Sequence, residues 1–199
     1  MSRGLWRVIR DPAGEPQANM ELDQQIAQQV CMGFAPATLR IYQWLKPAVS
    51  LGRRQSPSEL PEELLALPWV RRPTGGGAVV HRMEELTYAL ALPRTAAQMH
   101  RPLSELPGRL HRHLRLLLVE QAGLSSGDLG IAEDDCAGPC TLCFSAPVHG
   151  DLLYRCAKVG GTALRVWRDG ILVQGSIQGL PVSFGLLSDL LVQATGGLA

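Results

Sequence analysis

Three consecutive glycines follow a pair of arginines in the segment RRPTGGGAVVH, which runs from Arg71 to His81. Glycine weakens a strand, so a run of three indicates either a tight turn or a place where a ligand approaches bare backbone. The arginines would supply positive charge for a ligand there. The segment matches neither the GxxxxGK[ST] phosphate loop nor GxGxxG, and a lone histidine is typical of a hydrogen-bonded structural residue. These residues alone leave a turn and a binding loop open.

Lysine is rare in this chain, and one of its two lysines stands beside a second glycine pair. Of 19 basic residues 17 are arginine, and Lys158 lies in the segment CAKVGGTA. An ammonium group is compact and has a tunable pKa, which suits it to roles that arginine cannot fill. A cysteine thiolate is a strong nucleophile, and a nearby ammonium lowers the pKa of its thiol. Cys143 would be such a nucleophile if the fold brings Lys158 beside it; by itself it would be a buried structural cysteine.

Three cysteines form a C-x3-C-x2-C pattern, Cys136, Cys140 and Cys143. This is the spacing by which radical-SAM enzymes hold three irons of a [4Fe–4S] cluster, and grouped thiolates also bind zinc. His149 or Cys156 would be the fourth zinc ligand. The short chain and the late position of the trio favour coincidence, so we expect no metal, with a cysteine-ligated metal or Fe–S protein as the weaker alternative.

Length and charge narrow the class of protein. The chain has 199 residues, enough for one domain with a proper core. A net charge of +1 argues against a strongly basic nucleic-acid binder. The N-terminus has no apolar signal region, and no apolar run approaches the roughly 18 residues of a membrane span. Five cysteines without a secretion signal indicate reduced thiols, so we expect a cytoplasmic protein that binds neither nucleic acid nor membrane.

Hydrophobic periodicity predicts interspersed helices and strands. Leu22, Ile26 and Val30 recur at helical spacing, with Glu21 and Asp23 expected in the first turn. The predicted helices are 18–33, a short one within 56–67, 103–124 and 182–197. The predicted strands are 5–11, 37–44, 48–53, 69–74, 77–82, 85–92, 151–159, 162–170 and 171–178. Gly123 is expected to cap a helix, Ser56 or Ser58 to begin one, and Asp169-Gly170 to turn a hairpin. The pattern indicates an α+β fold, one mixed and mostly antiparallel sheet with flanking helices in a single domain over 1–199.

Taken together, these segments resemble the biotin/lipoate protein ligase superfamily, in its lipoate ligase and octanoyltransferase branch. The resemblance covers most of the chain: NMELDQQI, VSLGRRQ and ELTYALALP each match a family segment. RRPTGGGAVVH resembles the signature R-R-x-T-G-G-G-A-V-x-H, CFSAP the segment with the nucleophilic cysteine, and AKVGGTA the lysine motif K-x-x-G-[ST]-A. The signature and the lysine motif occur in the family's order, which is more specific than either motif alone.

The resemblance implies a site and a reaction. Cys143 would be the nucleophile that takes an octanoyl group from octanoyl-acyl-carrier protein, and Lys158 would hold the acyl carbonyl. A lysine of a lipoyl-domain protein would then accept the group. The resemblance places these residues along the substrate site: Arg72, Thr74, Gly75, Gly76, Gly77, His81, Gly160, Gly161, Thr162, Ala163 and Gly175. The glycine run would line the acyl tunnel, where burial stabilises the chain by about 0.8 kcal/mol per CH2.

Two departures from the family pattern keep alternatives open. Arg82 stands where the family usually has Asp, and Gln174 stands where it usually has His. Glutamine donates a hydrogen bond but cannot shuttle a proton. A specialised relative, or one that only binds acyl chains or carrier domains, would fit these changes.

The transferase would need no cofactor, whereas the alternative, a lipoate–protein ligase, would use ATP, Mg and lipoic acid through a lipoyl-adenylate. Ligases of this kind commonly carry a C-terminal accessory domain, which we do not expect here. Octanoyl and lipoyl donors remain equally open.

Overall fold

The computed structural model describes residues 6–94, 102–134 and 141–196, and they form ten strands and four helices. The strands are β1 (Arg7–Arg10), β2 (Thr38–Tyr42), β3 (Ala48–Leu51), β4 (Trp69–Arg71), β5 (Val79–His81), β6 (Leu86–Pro93), β7 (Leu129–Ile131), β8 (Leu152–Tyr154), β9 (Ala157–Val166) and β10 (Gly170–Ile177). The helices are α1 (Pro16–Cys31), α2 (Glu62–Leu65), α3 (Leu106–Ala122) and α4 (Phe184–Gly196). Two short 3-10 turns, Pro57–Glu59 and Leu103–Glu105, precede α2 and α3.

The strands form two sheets where the sequence pattern predicted one. The larger sheet has seven strands in the order β1-β2-β6-β10-β9-β8-β7, and only β1 and β2 pair in parallel. The smaller sheet has the order β4-β3-β5. The predicted α+β class with a mostly antiparallel sheet is confirmed. All three strands of the smaller sheet were predicted, but their pairing into a separate sheet was not, because periodicity identifies strands and does not show which strands pair.

Opposite faces of the large sheet bury different helices. Along β6, Leu90 packs into the main core with α3 and α4, whereas its neighbours Ala89 and Ala91 pack against α1. This follows from the alternation of side chains along a strand. Leu110 and Leu114 of α3 are fully buried in the main core.

The first helix begins earlier than its pattern predicted. Pro16 takes the first helical position, where its missing N–H costs nothing. Asp23 therefore lies in the middle of the helix, fully buried, and not in the first turn. Leu22, which was predicted to face the core, is exposed, while Ile26 and Val30 are buried as predicted.

One predicted strand boundary is wrong in a way that affects the site. The sequence pattern ended a strand at the Gly160-Gly161 pair, but β9 continues through both glycines. The chain turns instead at Arg155 and Cys156, whose φ values are 50° and 64°. This tight hairpin joins β8 to β9 and was not foreseen, because neither residue is one that normally occupies the left-handed region.

Several local predictions are confirmed. Gly123 ends α3 in the left-handed conformation, with φ of 69°. Ser56 and Glu59 form a reciprocal capping box at the start of the short helical segment. The predicted hairpin joins β9 to β10, but its turn residues are Arg168 and Asp169, one position before the predicted Asp169-Gly170. No helix within the described ranges combines the length and the apolar character needed to cross a bilayer.

Candidate active site

A narrow cavity lies between the two sheets, with α1 at one side. The large sheet contributes β9 and β10, the small sheet contributes β3 and β5, and the loop before β8 contributes Cys143. The lining residues are Met20, Tyr42, Trp44, Ser50, Arg72, Val79, His81, Thr87, Cys143, Phe144, Gly161, Thr162, Ala163, Gln174, Gly175 and Ser176. Besides the cysteine, six of these were predicted site residues: Arg72, His81, Gly161, Thr162, Ala163 and Gly175.

The polar side chains of this wall are tied back into the protein. Thr87 donates to Glu85 at 2.7 Å and accepts from the indole N–H of Trp44 at 2.8 Å. Ser176 also donates to Glu85, and Ser50 lies 2.7 Å from His81 Nε2. Since these groups already have partners, the wall offers a ligand mainly aromatic rings and aliphatic carbon. Such a slot suits an apolar chain.

Cys143 is held in place by the residue that follows the glycine run. Its N–H donates to the carbonyl of Ala78 at 2.7 Å, and Ala78 N–H donates to the carbonyl of Thr141 at 2.8 Å. Leu142 and Ala78 form a parallel bridge between these two bonds. The signature segment therefore positions the cysteine directly, which explains why two motifs far apart in sequence belong to one site.

Lys158 reaches Cys143 from β9. Its Nζ lies 2.7 Å from the carbonyl oxygen of Cys143 and 3.4 Å from Sγ. The same Nζ lies 2.6 Å from Oδ2 of Asp151, and both side chains are almost fully buried. Opposite this position the β8–β9 register shifts between Leu152 and Leu153. A bulge of this kind re-aims a side chain.

Gly161 makes room for this lysine. A Cβ at this position would lie 2.8 Å from Cε of Lys158 and 3.6 Å from the ring of Phe144. The Nζ of Lys158 is 5.3 Å from the centroid of that ring, a cation–π distance. The second glycine pair thus serves the lysine side chain.

Arg72 fastens the glycine run to the small sheet. Its Nη2 donates to the carbonyls of Gly75 and Gly77, at 2.5 and 2.7 Å. Its Nη1 donates to the carbonyl and the hydroxyl of Ser50. Burial lowers the pKa of this guanidinium to about 10, with the nearby Cys143 thiol acting in the opposite direction. Arg72 is therefore a buried positive charge that interacts electrostatically with Cys143.

The glycines themselves lie beside the cavity. Gly75 and Gly76 line a neighbouring cleft of about 670 Å³, together with Arg53, Arg54 and Arg165. Gly76 has φ of +84°, a conformation that glycine adopts without strain. Among the described residues that line the narrow cavity, none comes from the glycine run. The glycine run therefore forms a turn beside the neighbouring cleft, and its glycines do not line the narrow cavity.

The predicted substrate residue His81 belongs to a buried hydrogen-bond chain. Its Nδ1 lies 2.5 Å from Glu85 Oε1 and its Nε2 lies 2.7 Å from Ser50 Oγ. Both ring nitrogens of His81 are therefore bonded within the wall. Ser50 then accepts from Arg72, so that the chain ends on the guanidinium.

The residue at the usual histidine position is also bonded within the wall. Gln174 donates to Asp23 at 2.7 Å and accepts from the hydroxyl of Thr74 at 2.8 Å. Asp23 also receives Arg40 and Tyr42, and burial raises the pKa of its carboxyl above the ordinary value despite Arg40. Thr74 therefore orients Gln174. Arg82, the other departure, has an exposed side chain, and its backbone N–H donates to Glu85.

Thr162, Gly160 and Gly175 have structural neighbours behind the cavity. Thr162 Oγ1 lies 3.0 Å from Tyr88 Oη and 3.1 Å from His111 Nε2. Gly160 packs against Leu152, and a Cβ at Gly175 would collide with the ring of Tyr88. These contacts fix the curvature of β9 and β10 at the cavity.

The alternative prediction, a cysteine-ligated metal or Fe–S site, depends mostly on residues outside the described ranges. Cys136 and Cys140 lie outside the described residues. Cys156 is exposed at the β8–β9 turn. Within the ranges that are described, no group of three or more His, Cys, Asp or Glu side chains is arranged to hold a metal ion.

Asp151 and His111 contact predicted site residues and were not themselves predicted. Asp151 holds Lys158, and its own Oδ2 accepts the N–H of Val148 at 2.7 Å. His111 is fully buried on α3, and its Nδ1 lies 2.7 Å from the carbonyl oxygen of Gly150. Recognising the hairpin at 155–156 would have paired β8 with β9 and placed Asp151 near Lys158.

Comparisons with known proteins agree with this architecture. The lipoyl protein ligase A/B catalytic domain family matches residues 15–179. The octanoyltransferase LipM of Exiguobacterium sp. is 31% identical over 188 residues, which are 89% of this chain and 67% of that protein. The chain spans about two thirds of the length of the LipM relatives that it matches.

Two solved structures share the fold at low sequence identity. Protein Ta0514 from T. acidophilum, solved with bound lipoic acid, superposes with a TM-score of 0.69 at 16% identity, covering 98% of this chain and 85% of that one. A lipoate-protein ligase A bound with ATP gives the same TM-score, identity and coverage. Both similarities concern the fold.

Proposed function

The chain belongs to the lipoyl protein ligase A/B catalytic domain family, and we propose from its site that it is an acyltransferase of protein lipoylation working through Cys143. The observation that carries the proposal is the contact of Lys158 Nζ with both Sγ and the carbonyl oxygen of Cys143. An ammonium so placed stabilises a thiolate before the reaction and an oxyanion during it.

The first step transfers the acyl group to the enzyme. The Cys143 thiolate attacks the carbonyl carbon of an octanoyl thioester, and Lys158 stabilises the tetrahedral oxyanion. Collapse of this intermediate breaks the donor's C–S bond. The donor leaves as a thiolate, and the acyl group is now a thioester of Cys143.

The second step forms the amide. The neutral amine of an acceptor lysine attacks the Cys143 thioester, and its surplus proton leaves with the solvent or with the departing thiol. The products are an octanoyl-lysine amide and free Cys143. Because the donor is already a thioester and the amide product is more stable than a thioester, neither step consumes a nucleotide.

The donor and the acceptor are part of the proposal. The LipM name supports an octanoyl group, with octanoyl-acyl-carrier protein as donor and a lipoyl-domain protein as acceptor. The apolar slot between the sheets supports an acyl chain of this kind. The cytoplasmic location and the absence of an accessory domain stay predictions.

The decisive experiment is intact mass spectrometry of the protein mixed with octanoyl-acyl-carrier protein in the absence of ATP. We expect an octanoyl adduct on the wild type and none on Cys143→Ser. A Cys143→Ala variant that acylates a lipoyl domain at the wild-type rate would contradict the proposal.

An ATP-dependent lipoate–protein ligase is the second candidate. The arginine-lined cleft beside Gly75 and Gly76 favours it, since such a cleft has charge for phosphate groups. In that case lipoic acid with ATP and Mg would yield an acyl-adenylate, and Cys143→Ser would remain active. Thermal stabilisation by ATP and lipoate together, but not by either alone, would support this candidate.

A further inference from the structure

The charged side chains of Lys158, Asp151 and Arg72 are buried near Cys143. The charges of Lys158 and Asp151 cancel. Lys158 and Asp151 form an ion pair at 2.6 Å, with side-chain exposures of 1% and 4%. Asp151 is held in turn by the N–H of Val148. The pair therefore has no net charge, although its ammonium touches the cysteine.

Arg72 has no such partner. Its guanidinium is bonded to the carbonyl oxygens of Ser50, Gly75 and Gly77 and to the Ser50 hydroxyl. No carboxylate in the described part of the chain forms an ion pair with it. Carbonyl dipoles satisfy its hydrogen bonds but supply no ionic counter-charge. Burying an uncompensated charge is costly, and burial lowers the pKa of Arg72 to about 10.

The same short segment brings Arg72 and Cys143 together. Arg72 Nη2 donates to the carbonyl of Gly77, and Cys143 N–H donates to the carbonyl of the next residue, Ala78. Both side chains line the narrow cavity. Arg72 and Cys143 together therefore carry a charge of plus one when Cys143 is a thiol and zero when it is a thiolate.

We propose that Arg72 supplies the charge that balances the Cys143 thiolate, while Asp151 is a positioning residue that neutralises Lys158 and holds it against the cysteine. In this arrangement Lys158 serves as a hydrogen-bond donor with fixed direction, and Arg72 serves as the counter-charge. The assignment rests on the proposed role of Cys143 as the nucleophile.

The other titratable groups around the cavity do not alter this balance. His111 on α3 is kept neutral because burial lowers its pKa, and burial raises the pKa of Tyr88 on β6. His81 on β5 forms its own pair with Glu85. Asp23 on α1 is paired with Arg40.

The test measures the rate at which iodoacetamide alkylates Cys143 as a function of pH, with the adduct quantified on the Cys143 peptide. This rate follows the thiolate fraction and needs no acyl substrate. Arg72→Gln is expected to raise the pH midpoint by about one unit or more, and so to slow alkylation about tenfold near pH 7. Arg72→Lys, which keeps the charge but loses the forked bonds, is expected to keep the midpoint while lowering the thermal stability.

A second set of variants tests the role of Asp151 without changing Arg72. Lys158→Met leaves the carboxylate of Asp151 uncompensated and is expected to slow alkylation about tenfold or more. Adding Asp151→Asn removes the remaining partner of the neutral pair. The double variant is then expected to alkylate within about threefold of the wild type, because the charge of Arg72 is unchanged.

The outcomes separate the assignments. A double variant as slow as Lys158→Met, or a folded Arg72→Gln with a wild-type midpoint, would overturn the charge assignment. Recovery in the double variant supports it even if Arg72→Gln does not fold. Because alkylation is independent of acyl transfer, these results stand if the mass-spectrometric experiment shows no octanoyl adduct, in which case only the proposed function fails.

Discussion

Two buried pairs of a carboxylate and a nitrogen group flank the same cavity, and they differ in what the nitrogen group contacts besides its carboxylate. In the His81–Glu85 pair, the second ring nitrogen of His81 is occupied by Ser50. In the Asp151–Lys158 pair, the ammonium also reaches the sulfur and the carbonyl oxygen of Cys143. We call His81–Glu85 the closed pair, because the ring nitrogens of His81 are bonded to Glu85 and Ser50. We call Asp151–Lys158 the open pair, because Lys158 also contacts Cys143.

The two carboxylates also differ in how many groups donate hydrogen bonds to them. Glu85 accepts from several groups besides His81, which are the side chains of Thr87, Ser176 and Gln178 and the N–H of Arg82. Although burial favours the neutral acid, His81 and these bonds lower the pKa of Glu85 below its ordinary value. Asp151 accepts from the backbone of Val148 and from Lys158. Glu85, which accepts many hydrogen bonds, stabilises the fold. Asp151, which is bound mainly to Lys158, positions that lysine.

The largest effect on activity is expected at the open pair. Lys158→Met should lower the rate of octanoyl transfer by about 10²–10³, because it removes the donor to the developing oxyanion. It should also lower the free energy of unfolding by about 3–5 kcal/mol, since the buried Asp151 loses its partner. Both quantities are measured at a temperature where the variant is folded, by single-turnover transfer and by urea unfolding.

The other lysine provides the matched control. Lys46 forms an exposed ion pair with Glu15, with side chains 47% and 50% exposed. Such surface pairs contribute about 0–1 kcal/mol, so Lys46→Met should change neither quantity appreciably. If Lys158→Met transferred the acyl group as fast as Lys46→Met, the second pair would be as structural as the first.

The closed pair should respond in stability and not in chemistry. Glu85→Ala leaves several buried donors without an acceptor and is expected to lower the free energy of unfolding by about 3–5 kcal/mol. Glu85→Gln keeps the shape and part of the bonding and should cost less. Urea unfolding measures both variants. A stable Glu85→Gln protein that lost acyl transfer as severely as Lys158→Met would break the distinction between the pairs.

Acid should weaken the two sides of the cavity in different pH windows. His111 lies beside Asp151, and burial lowers its pKa from the ordinary 6.5, so the unfolded chain takes up the proton first. Its stabilising effect is complete above pH 6.5 and is lost as the pH falls through its lower folded pKa. Glu85 acts in the same direction, but its effect is complete above pH 4.5 and is lost only below that value.

The two windows are separated by measuring the free energy of unfolding against pH in three proteins. His111→Gln is expected to abolish the loss that begins just below pH 6.5 and to keep the loss below pH 4.5. Glu85→Gln should show the reverse pattern. Parallel curves for His111→Gln and the wild type across the upper window would mean that His111 is not held neutral by the fold.

Of the residues at the open pair, the sequence predicted Lys158 and Cys143 but not Asp151. Lys158 and Cys143, the proposed catalytic residues, stand in motifs that identified them from the sequence. Asp151 is defined only by its position, because it contacts Lys158 through the hairpin at 155–156. That hairpin has no glycine or asparagine at either left-handed residue, so no turn signal marked it.

Only one member of the closed pair, His81, was predicted as a site residue. His81 stands in the signature, but Ser50 lies on β3 and Glu85 lies in the turn between β5 and β6. The strands of the small sheet were predicted, but a sequence pattern does not show that β3 pairs with β5. Local features such as the Gly123 cap were predictable because they depend on adjacent residues.

The smallest effect tests how finely the open pair is positioned. A Cβ at Gly161 would lie 2.8 Å from Cε of Lys158, so Gly161→Ala should push the flexible lysine aside by a few tenths of an ångström. A misplacement of about 1 Å can cost about 10²-fold in rate, so we expect a loss of roughly tenfold in acyl transfer. Gly130→Ala on β7 is the control, because its Cβ would make ordinary contacts of 3.7 and 3.8 Å with Leu153. A shifted ammonium would lose rate while the ion pair with Asp151 keeps the protein folded; unchanged transfer in Gly161→Ala would mean that Lys158 tolerates displacement and acts through its charge alone.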